Sequence, residues 1–222
     1  MKTNIILEDI SDGKRYDIND LVKANTGGCH GCSACCHNVG DLVTLNPFDA
    51  YNISSHLKIT FDVLLEDKFE LHPHGKLVLP HLKMHKVSER CSFLNQEDRC
   101  TIHANRPNIC RLFPLGRVYE DDNFKYFLQK DACMKSHLTD VKVMDWIGID
   151  HYNENKAFIL SWYKLIKALT FRVKFIHDDQ ELKVLNTYLL NTFYRMDLDE
   201  QQTFYAAYND RLPEAKDHLG IL

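Results

Sequence analysis

Cys29-His30-Gly31-Cys32-Ser33-Ala34-Cys35-Cys36 is a C-x2-C-x2-C-C run, and it is the most informative stretch of this chain. Two-residue spacings direct consecutive thiolates toward one centre, because so short a loop returns the chain with its Cβ atoms converging. Three cysteines at this spacing are typical of a cubane iron–sulfur site, whereas structural zinc usually pairs two separate knuckles. The adjacent Cys35 and Cys36 do not easily aim at one metal atom. We therefore expect them to serve two centres, or one of them to lie behind the ligands.

Four further cysteines follow at wide spacing, at positions 91, 100, 110 and 133. Eight cysteines in 222 residues are fewer than a disulfide scaffold carries. The opening stretch MKTNIILEDISDGKRYDIND lacks the apolar core of a secretory signal, which predicts a cytoplasmic protein with reduced thiols. Clustered thiols in that setting favour metal binding, as two tetrathiolate sites or as one cluster plus one zinc. The alternative is that four cysteines are ligands and the others pack as small apolar side chains.

The overall composition is that of a globular protein, with 45% hydrophobic and 26% charged residues. Lys and Arg total 27 against 31 Asp and Glu, so the net charge of −4 gives no electrostatic reason to expect nucleic acid as a partner. No stretch approaches the roughly 18 consecutive apolar residues of a membrane span. A protein partner or substrate is the remaining expectation, and the oligomeric state stays open.

The pattern of apolar residues divides the chain into two regions. Residues 1–136 hold all the cysteines among turns and short extended pieces, and residues 137–222 have helical periodicity. We predict an α+β fold in which a loop-rich metal-binding region with short hairpins packs on a C-terminal helical bundle, as one compact unit. The apolar stripe expected in the bundle core consists of Phe158, Trp162, Leu165, Leu169, Val173, Ile176, Leu182, Leu185, Leu189 and Phe193.

Turn and cap residues predict the local boundaries of the elements. Asn46-Pro47 predicts a helix start, because proline fits the first helical position. A weak edge hairpin is predicted over Leu71–Lys86, whose two short apolar stretches are broken by Pro80. Two hairpin turns are predicted, one at Asp12-Gly13 between Ile5-Ile6-Leu7 and Tyr16-Asp17-Ile18, and one at Glu120–Asn123. A capping box of Asp199 with Gln202 predicts a helix start, and a last helix is predicted from Pro213 to Gly220.

Residues from about 26 to 136 resemble the YkgJ-type cysteine-cluster family of zinc- or iron-chelating domains. The most specific part of the resemblance, after the cysteine run, is Arg106-Pro107-x-x-Cys110-Arg111-x-Phe113-Pro114. One departure lies at Cys133, where the family often continues with a Gly-containing turn and this chain has Met134-Lys135-Ser136. The other matching residues are Leu42-Val43-Thr44-Leu45, Asp49, Cys91-Ser92-Phe93-Leu94 and Cys100-Thr101-Ile102-His103.

The resemblance implies a metal cofactor, with a 4Fe-4S cluster as the expected type and zinc as the alternative. Flagellin lysine methylases look like longer relatives with the same cysteine pattern. They imply an iron–sulfur-dependent protein lysine methyltransferase-like activity as one function, with S-adenosylmethionine as a further cofactor. The implied metal ligands are Cys29, Cys32, Cys35, Cys36, Cys91, Cys100, Cys110 and Cys133.

Two arginines and a histidine accompany the later cysteines. Arg106 and Arg111 flank Cys110, and His103 lies between Cys100 and Cys110. We predict that these three residues bind the cofactor by holding an anionic group, such as the carboxylate of S-adenosylmethionine or of a substrate, beside the metal. The alternative is that the guanidinium groups brace the cysteine loops through local carbonyl oxygens or acids.

Three classes of function remain open from the sequence, and no catalytic residue is identified. The first is an iron–sulfur protein that supports redox or methyl-transfer chemistry, which the compact run favours. The second is a structural zinc module that mediates protein interaction, which the lack of a substrate motif favours. The third is a metal or sulfur delivery protein. The basic stretch 156–176 is interpreted as a core helix with a solvated basic face rather than a membrane-binding helix.

Overall fold

A computed structural model describes residues 7–27, 32–135, 137–196 and 202–221. It confirms the α+β class, because short antiparallel strand pairs precede a C-terminal set of long helices. The strands are β1 (Leu21–Asn25), β2 (Phe69–His74), β3 (Leu77–Leu82), β4 (Leu115–Glu120), β5 (Asn123–Leu128) and β6 (Thr139–Lys142). The helices are α1 (Leu7–Ile10), α2 (Pro47–Leu57), α3 (Phe61–Asp67), α4 (Asn108–Leu112), α5 (Val143–Ile147), α6 (Tyr152–Arg172), α7 (Asp179–Phe193) and α8 (Phe204–His218).

The described strands pair in twos, always antiparallel. β2 and β3 form one hairpin, and β4 and β5 form another at Glu120–Asn123, where the sequence predicts a hairpin turn. β1 instead pairs with the distant β6, with Leu21 opposite Lys142. This ribbon joins the beginning of the chain to the entry of the helical region.

The described residues do not form the hairpin predicted around Asp12-Gly13. Ile5 and Ile6 lie outside the described residues, and Leu7 is the first residue of α1. Tyr16 pairs with Tyr126 in β5 through two backbone hydrogen bonds of 2.8 and 2.9 Å. A partner that is distant in sequence therefore takes the extended residues that the turn signal had assigned to a local hairpin.

The edge hairpin predicted over Leu71–Lys86 is present as β2 and β3, but Pro80 lies inside β3 and does not break it. The N–H groups of Val78 and Leu82 point away from β2 and donate to Asn186 Oδ1 at 2.8 Å and to Val43 O at 3.0 Å. Alternate residues of a strand share an orientation, so the nitrogen of residue 80 points the same way. The missing N–H of proline therefore costs the hairpin no ladder bond, which is why proline is tolerated there.

The start of α2 is fixed by Asn46, as the sequence predicts. The Asn46 side chain accepts a hydrogen bond from the Asp49 N–H at 2.9 Å, and the Asp49 carboxylate accepts one from the Asn46 N–H at 3.1 Å. Pro47 occupies the first helical position. These reciprocal bonds satisfy two N–H groups that a helix start leaves without partners.

The apolar stripe of the helical region is confirmed, since nine of its ten residues are buried and Leu182 packs against them. Two boundaries differ from the prediction. Pro213 lies within α8 rather than at the start of a helix, and the helix begins after Thr203, whose side chain accepts a hydrogen bond from the Ala206 N–H at 3.3 Å. Asp199, the predicted cap, lies outside the described residues.

One continuous apolar core runs through both regions of the chain. Phe48 of α2 packs on Phe158 of α6 and stacks on Tyr205 of α8, with ring centroids 6.4 and 5.4 Å apart. The Tyr194 hydroxyl donates to the buried carbonyl of Leu45 at 2.9 Å. These contacts join residues on both sides of position 136. The division of the chain into two regions at that position therefore stays a prediction. Among the described helices, none is long and apolar enough to cross a bilayer.

Candidate metal centre

Six cysteine side chains line a single cavity of about 660 Å3. The cavity lies between the end of the cysteine run, the loop from residue 91 to residue 103, and α4. All seven described cysteines are free thiols. The fold thus brings together thiols that are far apart in sequence, namely Cys32, Cys35, Cys36, Cys91, Cys100 and Cys110.

Backbone pairing positions the end of the cysteine run. Residues Ala34–Cys36 form one turn of 3-10 helix. The carbonyl of Cys36 then accepts the N–H of Cys91 at 2.9 Å, and the N–H of Asn38 donates to the carbonyl of Glu89 at 2.8 Å. These backbone hydrogen bonds set Cys36 beside Cys91.

A short turned loop carries Cys91 and Cys100. Leu94 pairs with Cys100 across the turn. The N–H and the hydroxyl of Thr101 both donate to the carbonyl of Phe93, at 2.9 and 3.0 Å. The loop is therefore closed by its own polar groups, and both thiols face the same cavity.

Cys110 lies in α4, and the buried carboxylate of Asp49 holds the first residue of that helix. Asp49 Oδ1 accepts the backbone N–H of Asn108 at 2.8 Å and its side-chain amide at 3.2 Å. Arg117 closes the network by donating to Asn108 Oδ1 at 3.2 Å. Burial raises the pKa of Asp49 to about 6, although the hydrogen bonds from Asn108 and the charge of Arg117 act in the opposite direction.

The thiols differ in their readiness to ionise. A hydrogen bond from Cys36 lowers the pKa of Cys35 to about 6, against an opposing effect of burial and with help from the charge of Arg106. The same bond, together with burial, raises the pKa of Cys36. The thiolate of Cys35 is thus available at neutral pH, whereas metal binding must displace the protons of its neighbours. Burial also raises the pKa of Cys91, Cys100 and Cys110.

Two of the three predicted cofactor-binding residues lie in the cavity wall. Arg106 and His103 both line it, and Arg106 Nη1 lies 3.3 Å from the Nδ1 of His103. The buried Nε of Arg106 has no hydrogen-bond partner within the described part of the chain. Arg99, which the sequence analysis did not single out, also lines the cavity. The position of Arg99 directly before Cys100 is the sequence feature that could have identified it.

Arg111 takes a different position from Arg106. Its guanidinium donates to the carbonyls of Ile147 and Gly148, each at 3.4 Å, and to that of Ala104. Through these bonds it ties α4 to α5 and to the loop before α4. These contacts fit the bracing alternative that the sequence left open, and the cofactor-binding role of Arg111 stays a prediction.

The remaining two predicted ligands stand apart from this group. Cys29 lies outside the described residues. Cys133 is half-buried and is not part of the described cavity wall, although its neighbour Ala132 is. The ligand roles of both cysteines therefore stay predictions. Gln129 lines the cavity without any sequence signal that would have identified it.

The donor set fits a thiophilic metal. Sulfur ligands select zinc and iron–sulfur clusters over hard cations such as magnesium and calcium. Among the described residues, no three His, Cys, Asp or Glu side chains are grouped so that they could hold one metal ion. The six cysteines line one shared volume.

These features describe a thiol-rich metal-binding domain. Residues 28–134, just under half of the chain, match the family model CxxCxxCC, described as a putative zinc- or iron-chelating domain. The matched family is the YkgJ-type family that the sequence resembles. The match supports a metal cofactor, zinc or iron. Comparison with curated proteins and with solved structures gave no match in either case.

Proposed function

We propose that the cysteine cavity holds an iron–sulfur cluster of the 4Fe-4S type. The observation that carries the proposal is the set of six thiols around one cavity of about 660 Å3. A zinc ion bonds sulfur at about 2.3 Å, so four thiolates around it lie within about 4 Å of one another. A cluster of several atoms takes more widely spaced thiolates, which suits thiols that line one shared volume.

The chain's own residues have distinct parts in this proposal. Cys35 offers a thiolate for ligation, because the hydrogen bond from Cys36 lowers the pKa of its thiol to about 6. Arg106 and Arg99 offset the negative charge of the thiolates from the cavity wall. When bound, such a cluster supplies one-electron transfer at a potential that charge and hydrogen bonding tune.

Methyl transfer is a more specific activity that follows from the resemblance to the flagellin lysine methylases. In that proposal S-adenosylmethionine is the donor and a lysine of a protein partner is the acceptor. Its support is the position of Arg106 and His103 in the cavity wall, where a carboxylate can be held beside the thiols. A reducing compartment such as the cytoplasm suits the proposal, because the cysteines must stay reduced to act as ligands.

Metal analysis of anaerobically purified protein tests the cluster. We expect a brown protein containing iron and acid-labile sulfide, and we expect Cys110→Ser to lose most of both. Ser33→Ala is the matched control, because Ser33 lies in the same run and its side chain makes no capping bond. Colourless protein with zinc and no sulfide, made with iron in excess, rejects the cluster and supports the structural zinc module.

A further inference from the structure

The cysteine cavity is larger than a metal site requires. Structural zinc sites are closed around the ion, with all four positions taken by the protein. Pockets for small ligands typically measure about 300–1,000 Å3, and this cavity measures about 660 Å3. The cavity is therefore in the size range of a pocket that holds a small ligand beside the metal.

Apart from the thiolates, the charged groups in the described wall are cationic. Arg99 and Arg106 line the cavity, and the described lining contains no Asp or Glu. The Nε of Arg106 is buried and has no hydrogen-bond partner within the described residues. Buried donors in folded proteins are nearly always bonded, so the unbonded Nε at this cavity wall is available to a ligand or an ion. Arginine forks suit carboxylate and phosphate oxygens in particular.

The rest of the wall is mostly apolar and partly open. Leu42 and Ile109 line the cavity and remain 70% and 44% exposed. Large apolar side chains left exposed at a cavity favour an apolar ligand body that covers them. The other apolar lining residues are Val39, Val43, Leu82, Phe93, Leu94, Ile102 and Phe113.

We infer that this cavity binds a small organic anion, with its negative group on Arg106 and Arg99 and its apolar body between Leu42 and Ile109. The inference rests on the proposed function in one respect, namely that the thiols of the same cavity hold a metal. The two arginines then act on a ligand as well as on the charge of the thiolates. An apolar carboxylate is a member of this class, and the head group can equally be a phosphate. S-adenosylmethionine presents a carboxylate to the same arginines, although its sulfonium and ammonium groups make its net charge positive.

Calorimetric titration of the full-length, metal-loaded protein tests the inference. The probes are hexanoate, hexanol, inorganic phosphate and S-adenosylmethionine, at low salt and without oxygen. We expect hexanoate to bind about tenfold more tightly than hexanol, which has the same apolar chain, because a charge-assisted hydrogen bond is lost in the alcohol. Phosphate alone should bind more weakly than hexanoate, because it leaves the apolar wall uncovered. S-adenosylmethionine bound more tightly than hexanoate supports the inference and identifies the head group as an amino acid carboxylate.

Arg106→Gln should abolish the preference for hexanoate over hexanol. Arg15→Gln is the control, because it removes the same charge from an exposed residue outside the cavity wall. Arg99→Gln gives a second measurement if Arg106→Gln loses metal. Equal affinities for hexanoate and hexanol, phosphate binding as tightly as hexanoate, or a preference unchanged in both cavity variants overturns the inference. Iron and sulfide analysis of the same samples reports separately on the cluster.

Discussion

The helical region and the cysteine region are stabilised by different interactions. Helices α6, α7 and α8 bury a stripe of aromatic and aliphatic side chains, with Trp162 packed on Phe193 and Tyr194 at 5.5 and 5.8 Å. The cysteine region contributes to the same apolar core, and around its thiols it adds backbone bridges such as Cys36–Cys91 and the buried carboxylate of Asp49. The difference indicates that the helices are stabilised by packing, while metal binding completes the loops that carry the thiols.

Removing the thiols should therefore have the largest effect on metal content and structure, and the structural effect should be confined to the cysteine region. We expect the triple variant Cys32→Ser, Cys35→Ser, Cys110→Ser to lose its metal, because serine is a poor substitute for a soft thiolate. The lost binding free energy is on the order of 10 kcal/mol for a structural metal site. Metal content, proteolysis of the cysteine region and far-UV circular dichroism measure the outcome. Full metal content in the variant, or equal loss of structure in the helices, contradicts the comparison.

Cys133→Ser makes this prediction more specific. Because Cys133 is outside the described cavity wall, we expect its variant to keep more metal than Cys110→Ser does. Equal losses in the two single variants would bring Cys133 into the same site and support the full set of eight ligands. The measurement is iron per protein after identical anaerobic purification.

In the helical region, Trp162→Ala should cost about 3–5 kcal/mol of unfolding free energy, because Trp162 is only 8% exposed and its removal leaves a cavity. The cost should be the same in metal-loaded and metal-free protein. Phe171→Ala is the control, since Phe171 is 62% exposed and should change stability by no more than about 0.5 kcal/mol. Urea unfolding measures both, and a cost at Trp162 that depends on metal would break the comparison.

Asp49→Asn tests the buried carboxylate of the cysteine region through pH. Burial raises the pKa of Asp49 from 3.8 to about 6, so its stabilising contribution is full below pH 4 and is lost as the pH rises through 6. The gap between the two values corresponds to on the order of 3 kcal/mol. The stability of the wild type relative to Asp49→Asn should fall between pH 4 and pH 7. A difference in urea midpoints that stays constant over this range rejects the assignment, since titrations shared by the two proteins cancel.

The smallest effect is expected at a surface ion pair between the two regions. Arg195 Nη2 lies 2.6 Å from the carboxylate of Asp62 in α3, and both side chains are substantially exposed. The pair lowers the pKa of Asp62, so its contribution is present near neutral pH and is lost at acid pH. Asp62→Asn should cost about 0.5 kcal/mol or less at neutral pH, and nothing measurable in 1 M salt. A larger, salt-independent loss would mean that this contact holds the regions together.

Sequence reasoning succeeded where local chemistry determines the structure. Asn46-Pro47 predicts the start of α2, and the period of Phe158, Trp162 and Leu165 predicts a buried helix face. It failed where the partner is distant. The pairing of Tyr16 with Tyr126 and the inclusion of Pro80 in β3 depend on which way a backbone N–H points once another segment has docked.

The candidate site shows the same contrast between features set by local sequence and features set by distant partners. The spacing of the cysteine run and the resemblance point to the thiols, and the fold brings six of them to one cavity. Asn108 bonds to Asp49, 59 positions away, and to Arg117, 9 positions away. No local sequence pattern predicts these pairings. Arg106 and Arg111 both lie within four residues of Cys110, yet the docked position of α5 gives Arg111 two of its three carbonyl partners.

The outer side of β3 has a consequence for how the protein behaves at high concentration. Exposed strand edges recruit strands from other molecules and so promote aggregation. Along β3 the outward N–H of Val78 is occupied by Asn186, that of Leu82 by Val43, and Pro80 has none to offer, while its carbonyl accepts from Leu45 at 2.8 Å. An incoming strand finds no free donor at these three successive positions. Pro80, together with Asn186 from α7, thus protects β3 against pairing with a strand of another molecule.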